Sequence, residues 1–264
     1  MPAMSDDPVA RGELSGRVAV IVGGASGIGR TVAKALARQG ARVVVADFDS
    51  ARMERTVEEL LHLGSADAAL ALPTDVRNDN SVRAMAADAL KAMGHVDLLI
   101  NMAAVFLEGP LDKIKSSDWR WMLETNLLGP IRACSAFLPH MRERGSGHII
   151  NTVSGGGLDP KDPLTIAYDT GQAALASYTR SLAAEVKAAG VAVSLYSTGT
   201  RGPRLGQNTR SRGLSHLLRK AEDPEESTAP DQLVDTLIDA IHDPRFLILA
   251  DPGEVPAMDS ATAR

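Results

Sequence analysis

The segment Gly23-Gly24-Ala25-Ser26-Gly27-Ile28-Gly29 follows a compact apolar run and leads into a helical pattern. A strand-to-helix turn of this kind can receive a pyrophosphate. Its backbone N–H groups must approach the phosphates, and its helix must pack close to the strand, so small residues are needed. Gly23, Gly27 and Gly29 meet that need, with Ser26 and Ile28 completing the turn. A glycine-rich turn alone is weak support; its place between a buried strand and an amphipathic helix strengthens it. Asp47, eighteen residues beyond Gly29, ends the next apolar run. A carboxylate there accepts both ribose hydroxyls of an adenosine and repels a 2′-phosphate. No Arg or Lys stands at 46 or 48, nor at 24, 25 or 26. The pattern points to NAD(H) rather than NADP(H); the plain alternative for Asp47 is a solvated strand end.

These residues need strands and helices to hold them. Apolar runs at Arg17–Val22, Arg42–Ala46, Ala69–Leu72, Val96–Ile100, His148–Thr152, Val191–Tyr196 and Phe246–Leu249 read as seven strands. Between them lie helical patterns, including Ile28–Gln39, one long helix over Trp119–Arg142, Ile166–Ala188 and Asp231–Ile241. The stretch after Tyr196 reads as irregular. Strongly apolar strands joined by helices imply an α/β fold of the Rossmann type. It is a doubly wound parallel sheet of about seven strands with helices on both faces. No linker divides the chain. The expectation is one domain over 14–250, with loose tails at 1–13 and 251–264.

Composition excludes several classes. The chain has 264 residues, 44% of them hydrophobic and 23% charged, which disfavours disorder and coiled coil. A net charge of −5 argues against a nucleic-acid partner. One cysteine, Cys134, excludes an intramolecular disulfide and reads as a buried small hydrophobe. His140, His148 and His216 have no metal-ligand spacing, so no metal is expected. No apolar run is long enough for a membrane span and no export signal is evident, so a cytoplasmic location is expected.

With these motifs in order, the chain resembles a classical short-chain dehydrogenase/reductase from about Leu14 to about Leu249. Asp75-Val76 matches the aspartate that contacts adenine in that family. Asn101 matches the first asparagine of its Asn-Asn-Ala-Gly motif, and Ala103 and Gly199 take cofactor-lining positions. Asn126, Ser154 and Tyr168 match its catalytic Asn, Ser and Tyr. The resemblance implies hydride transfer between a nicotinamide and a carbonyl or alcohol. Tyr168 would exchange the proton, Ser154 would hold the oxygen and Asn126 would support a water relay.

Gln172 stands where the family has lysine. An ammonium four residues after the tyrosine stabilises a phenolate, by roughly 3 kcal/mol at about 5 Å and an effective dielectric of ~20. Gln172 can bond the ribose but carries no charge. Alcohol oxidation should therefore suffer more than carbonyl reduction. Lys161 and Arg201 are candidates to replace the charge. Asn-Met-Ala-Ala at 101–104 and Thr198-Gly199 are further departures, and all of them fall at the nicotinamide end.

Residues 198–224 match the family's substrate lid. Arg201, Arg204, Arg210, Arg212, Arg219 and Lys220 give it a basic run, read either as a solvated face or as a sign of an anionic substrate. Gly155-Gly156-Gly157 reads either as room for a bulky substrate or as a slack turn. The resemblance also implies a homodimer or homotetramer. The expected function is an NAD(H)-dependent oxidoreductase acting on a small carbonyl or alcohol with an under-activated tyrosine. Alternatives are a non-redox enzyme (isomerisation, elimination or cyclisation) on the same scaffold, or an inactive NAD-binding subunit.

Overall fold

The computed structural model describes residues 13–63, 69–199, 208–214 and 231–250. The element order opens with β1 (Val18–Val22), α1 (Gly27–Arg38), β2 (Arg42–Asp47), α2 (Ser50–Leu61), β3 (Ala69–Pro73) and α3 (Asp79–Met93). β4 (Leu98–Asn101), β5 (Phe106–Glu108), α4 (Ser116–Leu123), α5 (Gly129–Arg144) and β6 (Gly147–Val153) follow. The chain continues with α6 (Ile166–Val186), β7 (Val191–Ser197), β8 (Thr209–Ser211), α7 (Asp231–His242) and β9 (Leu247–Leu249). Seven strands form one parallel sheet in the order β3-β2-β1-β4-β6-β7-β9.

Alternation within β1 shows why both faces are covered. Ala19 and Ile21 pack with Leu36 of α1, Met53 of α2 and Leu237 of α7. Val18, Val20 and Val22 face the other way, toward Met85 of α3, Phe137 of α5 and Val186 of α6. Every β1 side chain is buried, so the strand is apolar throughout. Leu14 is buried in the first of these clusters. Strand order reverses between β1 and β4, and the crevice beyond their carboxyl ends is where such sheets bind ligands.

Two expectations are corrected. The long helix expected over Trp119–Arg142 is divided: α4 and α5 are joined by a π-helical turn, Glu124–Leu128, which carries Asn126. A side-chain amide that bonds outside the helix and Pro130 in the first turn of α5 account for the break. The stretch after β7 is not wholly irregular, because β8 pairs in parallel with β5, Phe106 opposite Thr209 and Glu108 opposite Ser211. The terminal segments 1–12 and 251–264 lie outside the described residues, as does most of 198–224.

Candidate active site

The nucleotide half is built by close backbone approach. Gly23 has φ +84°, and a Cβ there would lie 2.5 Å from the backbone nitrogen of Ala103. A Cβ on Gly29 would be forced into the Gly23 carbonyl. The turn and the loop after β4 therefore meet as bare backbone, a cradle that larger side chains would fill. Asp47 borders it, its Oδ2 accepting the Ala25 N–H at 3.1 Å and its Oδ1 that of Asp49 at 3.2 Å. Burial raises its pKa, with those backbone bonds opposing the shift. Phe48, 65% exposed beside it, presents a flat apolar surface.

The remaining adenine-side residues are already engaged. Both Asp75 oxygens are held by the Arg77 guanidinium at 2.8 Å, which lowers the Asp75 pKa. Val76 is buried against Gly129. Asn101 is turned into the sheet, its Nδ2 donating to Asn151 Oδ1 at 2.8 Å while its own Oδ1 has no partner. Asn151 in turn donates to Thr179 at 3.0 Å. Asn101 thus braces β4 against β6. Cys134 lies buried beside this network, its thiol pushed up to about 12 by desolvation.

The chemical half gathers at the carboxyl end of β6. Asn126 accepts the Val105 N–H and donates to the Val105 carbonyl, both at 2.8 Å, and so fixes the chain entering β5. The next residue, Phe106, meets the Tyr168 ring edge-on, centroids 4.8 Å apart. Ser154 follows β6; its Oγ is buried and has no hydrogen-bond partner among the described residues. It is still close enough to favour the Tyr168 phenolate. Part of Tyr168 is solvent-accessible, but its phenol oxygen is densely enclosed. Desolvation pushes the Tyr168 pKa up to about 12, and neighbouring Asp169 adds to the rise.

Gln172 is 2% exposed, and its Oε1 accepts the backbone N–H of Ser154 at 2.9 Å. Gly155-Gly156-Gly157 is neither open space nor slack. A Cβ on Gly156 would collide with Asp169 Oδ1 and one on Gly157 with Gln172 Cβ. The Gly155 N–H donates to the Gly199 carbonyl at 3.0 Å, bringing Gly199 to the serine turn. Asp169 itself is buried and accepts from Thr165 Oγ1 at 2.6 Å. Sequence reasoning passed over Asp169, Phe106 and Phe48. The signal for Asp169 was an acid directly after the tyrosine.

Of the two candidate replacement charges, Lys161 lies within the described residues and Arg201 does not. Lys161 is mostly exposed and pairs with Asp159 at 3.1 Å, and no cation among the described residues acts on Tyr168. Arg201, Arg204, Arg219, Lys220 and His216 lie outside the described residues. Arg210 and Arg212, read as part of a solvated face or an anion site, are instead held by the buried Asp118.

A doubly wound sheet with a glycine cradle at its switch point defines a dinucleotide-binding α/β protein. The family model for short chain dehydrogenases matches residues 17–212, and the chain belongs to that family. It is 31% identical over 248 residues to a short chain dehydrogenase of Pseudocercospora fijiensis, covering 90% of this chain and 79% of that one. It is 36% identical over 195 residues to a Dehydrogenase/reductase SDR family member 7B of Danio rerio, covering 72% and 62%. The match to an uncharacterized oxidoreductase of Staphylococcus haemolyticus spans only 60% of that protein. Among solved structures, a short chain dehydrogenase/reductase from Burkholderia phymatum in complex with NAD superimposes with TM-score 0.78. It is 30% identical and 91% of each chain is covered. Within the described residues no helix is long and apolar enough to cross a membrane.

Proposed function

We propose that this protein is an NAD(H)-dependent oxidoreductase that acts chiefly as a carbonyl reductase. The observation that carries the reading is Tyr168: enclosed, next to an acid, and with no cation among the described residues acting on it. With a pKa of about 12, on the order of one molecule in 10⁵ carries the phenolate at pH 7. Such a group is seldom available as a base, whereas as an acid it is always protonated though weak, so oxidation is impaired more than reduction.

The glycine cradle and Asp47 fit a dinucleotide, and Asp47 beside the Ala25 N–H favours an unsubstituted 2′-hydroxyl. When bound, the nicotinamide supplies the hydride. Ser154 Oγ and the Tyr168 hydroxyl would together grip the substrate oxygen, and Tyr168 would hand it a proton. Asn126 holds the pocket wall through Val105, and Gln172 steadies the Ser154 backbone. Its amide nitrogen is the atom that would serve the ribose. Asp75, Val76 and Ala103 would line the adenine side and the approach to the nicotinamide, with Asn101 supporting them from within the sheet. Assembly as a homodimer or homotetramer through α5 and α6 completes the proposal.

Calorimetry with NADH and NADPH, paired with NADH consumption by wild type and Tyr168→Phe on aldehydes and ketones, tests this. NADH should bind the more tightly, and the variant should lose turnover. Equal affinities, or a Tyr168→Phe protein that still turns over, would refute it. That no cation among the described residues acts on Tyr168 also favours a second reading, a non-redox enzyme or a catalytically silent nucleotide-binding subunit. That reading requires NADH to bind yet remain unoxidised by every carbonyl supplied.

A further inference from the structure

Asp118 in α4 is 1% exposed, and its carboxylate accepts from the Lys115 N–H, from Arg210 and from Arg212. Arg212 grips it in a fork, Nε to Oδ2 at 2.9 Å and a terminal nitrogen to Oδ1 at 2.5 Å. Arg210 adds a third contact at 3.4 Å and lies 3.9 Å over the Trp121 ring. These two arginines flank Ser211, whose hydroxyl donates to Glu108 at 2.5 Å, while the Arg212 N–H donates to the Glu108 carbonyl at 2.9 Å. Segment 209–212 is thus pinned to β5 along its length. The other side of β5 is tied by Asn126 through Val105, and its first residue is the Phe106 that abuts Tyr168.

We propose that Asp118 is a positioning residue for the substrate site: it anchors β8 through Arg212 and Arg210, and β8 holds β5 so that Phe106 stays against Tyr168. The role assigned to that contact rests on the reductase reading above. A bidentate arginine–carboxylate pair fixes direction as well as distance, which suits it to setting a wall at a reacting group. It also gives two half-exposed arginines of a basic run an internal carboxylate as their partner.

The chain has three tyrosines, which allows a readout independent of catalysis. Protein labelled with 3-fluorotyrosine gives three fluorine signals, and that of Tyr168 is assigned by Tyr168→Phe. Asp118→Asn keeps an oxygen to accept the Lys115 N–H and removes the charge. Arg212→Gln is the more conservative partner, because Arg212 is partly exposed. Both should move or broaden the Tyr168 signal while Tyr178 and Tyr196 stay in place, and the double variant should do no more than either single one. In turnover both should raise KM for the carbonyl several-fold, with NADH affinity unchanged. A Tyr168 signal that stays put in folded Arg212→Gln, or three signals that shift alike, would overturn the proposal. A wild-type protein that reduces no carbonyl, but whose Tyr168 signal still follows Asp118, would sink the reductase reading and leave this one standing.

Discussion

The side-chain oxygen of Gln172 accepts the backbone N–H of Ser154 at 2.9 Å, joining α6 to the end of β6 beneath the reacting groups. Gln172, where the family resemblance implies lysine, is therefore committed to holding the serine turn. Restoring lysine removes that acceptor and buries an ammonium. Leaving the N–H unpaired costs about 1–3 kcal/mol, so Gln172→Lys should lower Tm by several degrees. It should also draw the Tyr168 pKa down and shift the rise of alcohol oxidation to lower pH by one to two units. A variant with unchanged Tm and an unchanged oxidative profile would contradict both roles.

Gly157→Ala tests the same joint from the other side. Its Cβ would be forced into Gln172 Cβ and lie 2.9 Å from the Gln172 carbonyl carbon, neither of which can swing away. Overpacking of this kind costs about 1–3 kcal/mol. The denaturant midpoint should fall with the m-value unchanged. No loss of stability would show the turn to be looser than described.

Asp47→Ser removes the charge that repels a 2′-phosphate while leaving a short hydrogen-bonding side chain. NADPH affinity should rise by at least tenfold, about 1.4 kcal/mol, and NADH affinity should fall. Calorimetry reads both. Parallel changes for the two dinucleotides would mean that Asp47 does not discriminate between them.

His148, at the opposite end of the sheet, should contribute to acid stability. Ser194 Oγ donates to the Arg245 carbonyl, so His148 Nε2 donates to Ser194 at 2.7 Å, leaving Nδ1 buried without a partner. Desolvation, with Arg17 nearby, lowers its pKa from 6.5 to about 4. The unfolded chain therefore takes up this proton first as pH falls. The contribution is whole above pH 6.5 and lost as pH drops toward 4, about 3 kcal/mol in all. His148→Gln should flatten the stability slope between those values. An equally steep slope would assign acid sensitivity to other groups.

What was legible in the sequence was local. The glycine turn, the seven strands and the helices around them announce themselves by runs and periods of a few residues. The place of Asp47 at the end of β2 was readable from its distance beyond that turn. The π turn at Glu124–Leu128 was not, since Asn126 breaks the helix by bonding Val105, 21 residues earlier. Arg212 meets Asp118 across 94 residues and β8 meets β5 across a comparable span, so composition suggested a solvated charged face where a clasp onto a buried carboxylate exists. Gln172 showed that a charge was missing but not that its amide had been put to another use. The tight fit of Gly156 and Gly157 depends on side chains from α6 and carries no local signal.

The most direct test is the pH dependence of NADH oxidation by wild type on a ketone it reduces, followed at 340 nm in both directions. Carbonyl reduction should stay level from pH 6 to 10, because Tyr168 keeps its proton, while alcohol oxidation rises about tenfold per unit across the same range. An alkaline loss of reduction centred between pH 7 and 8 would mean that the phenol ionises with help from a cation, contrary to this account.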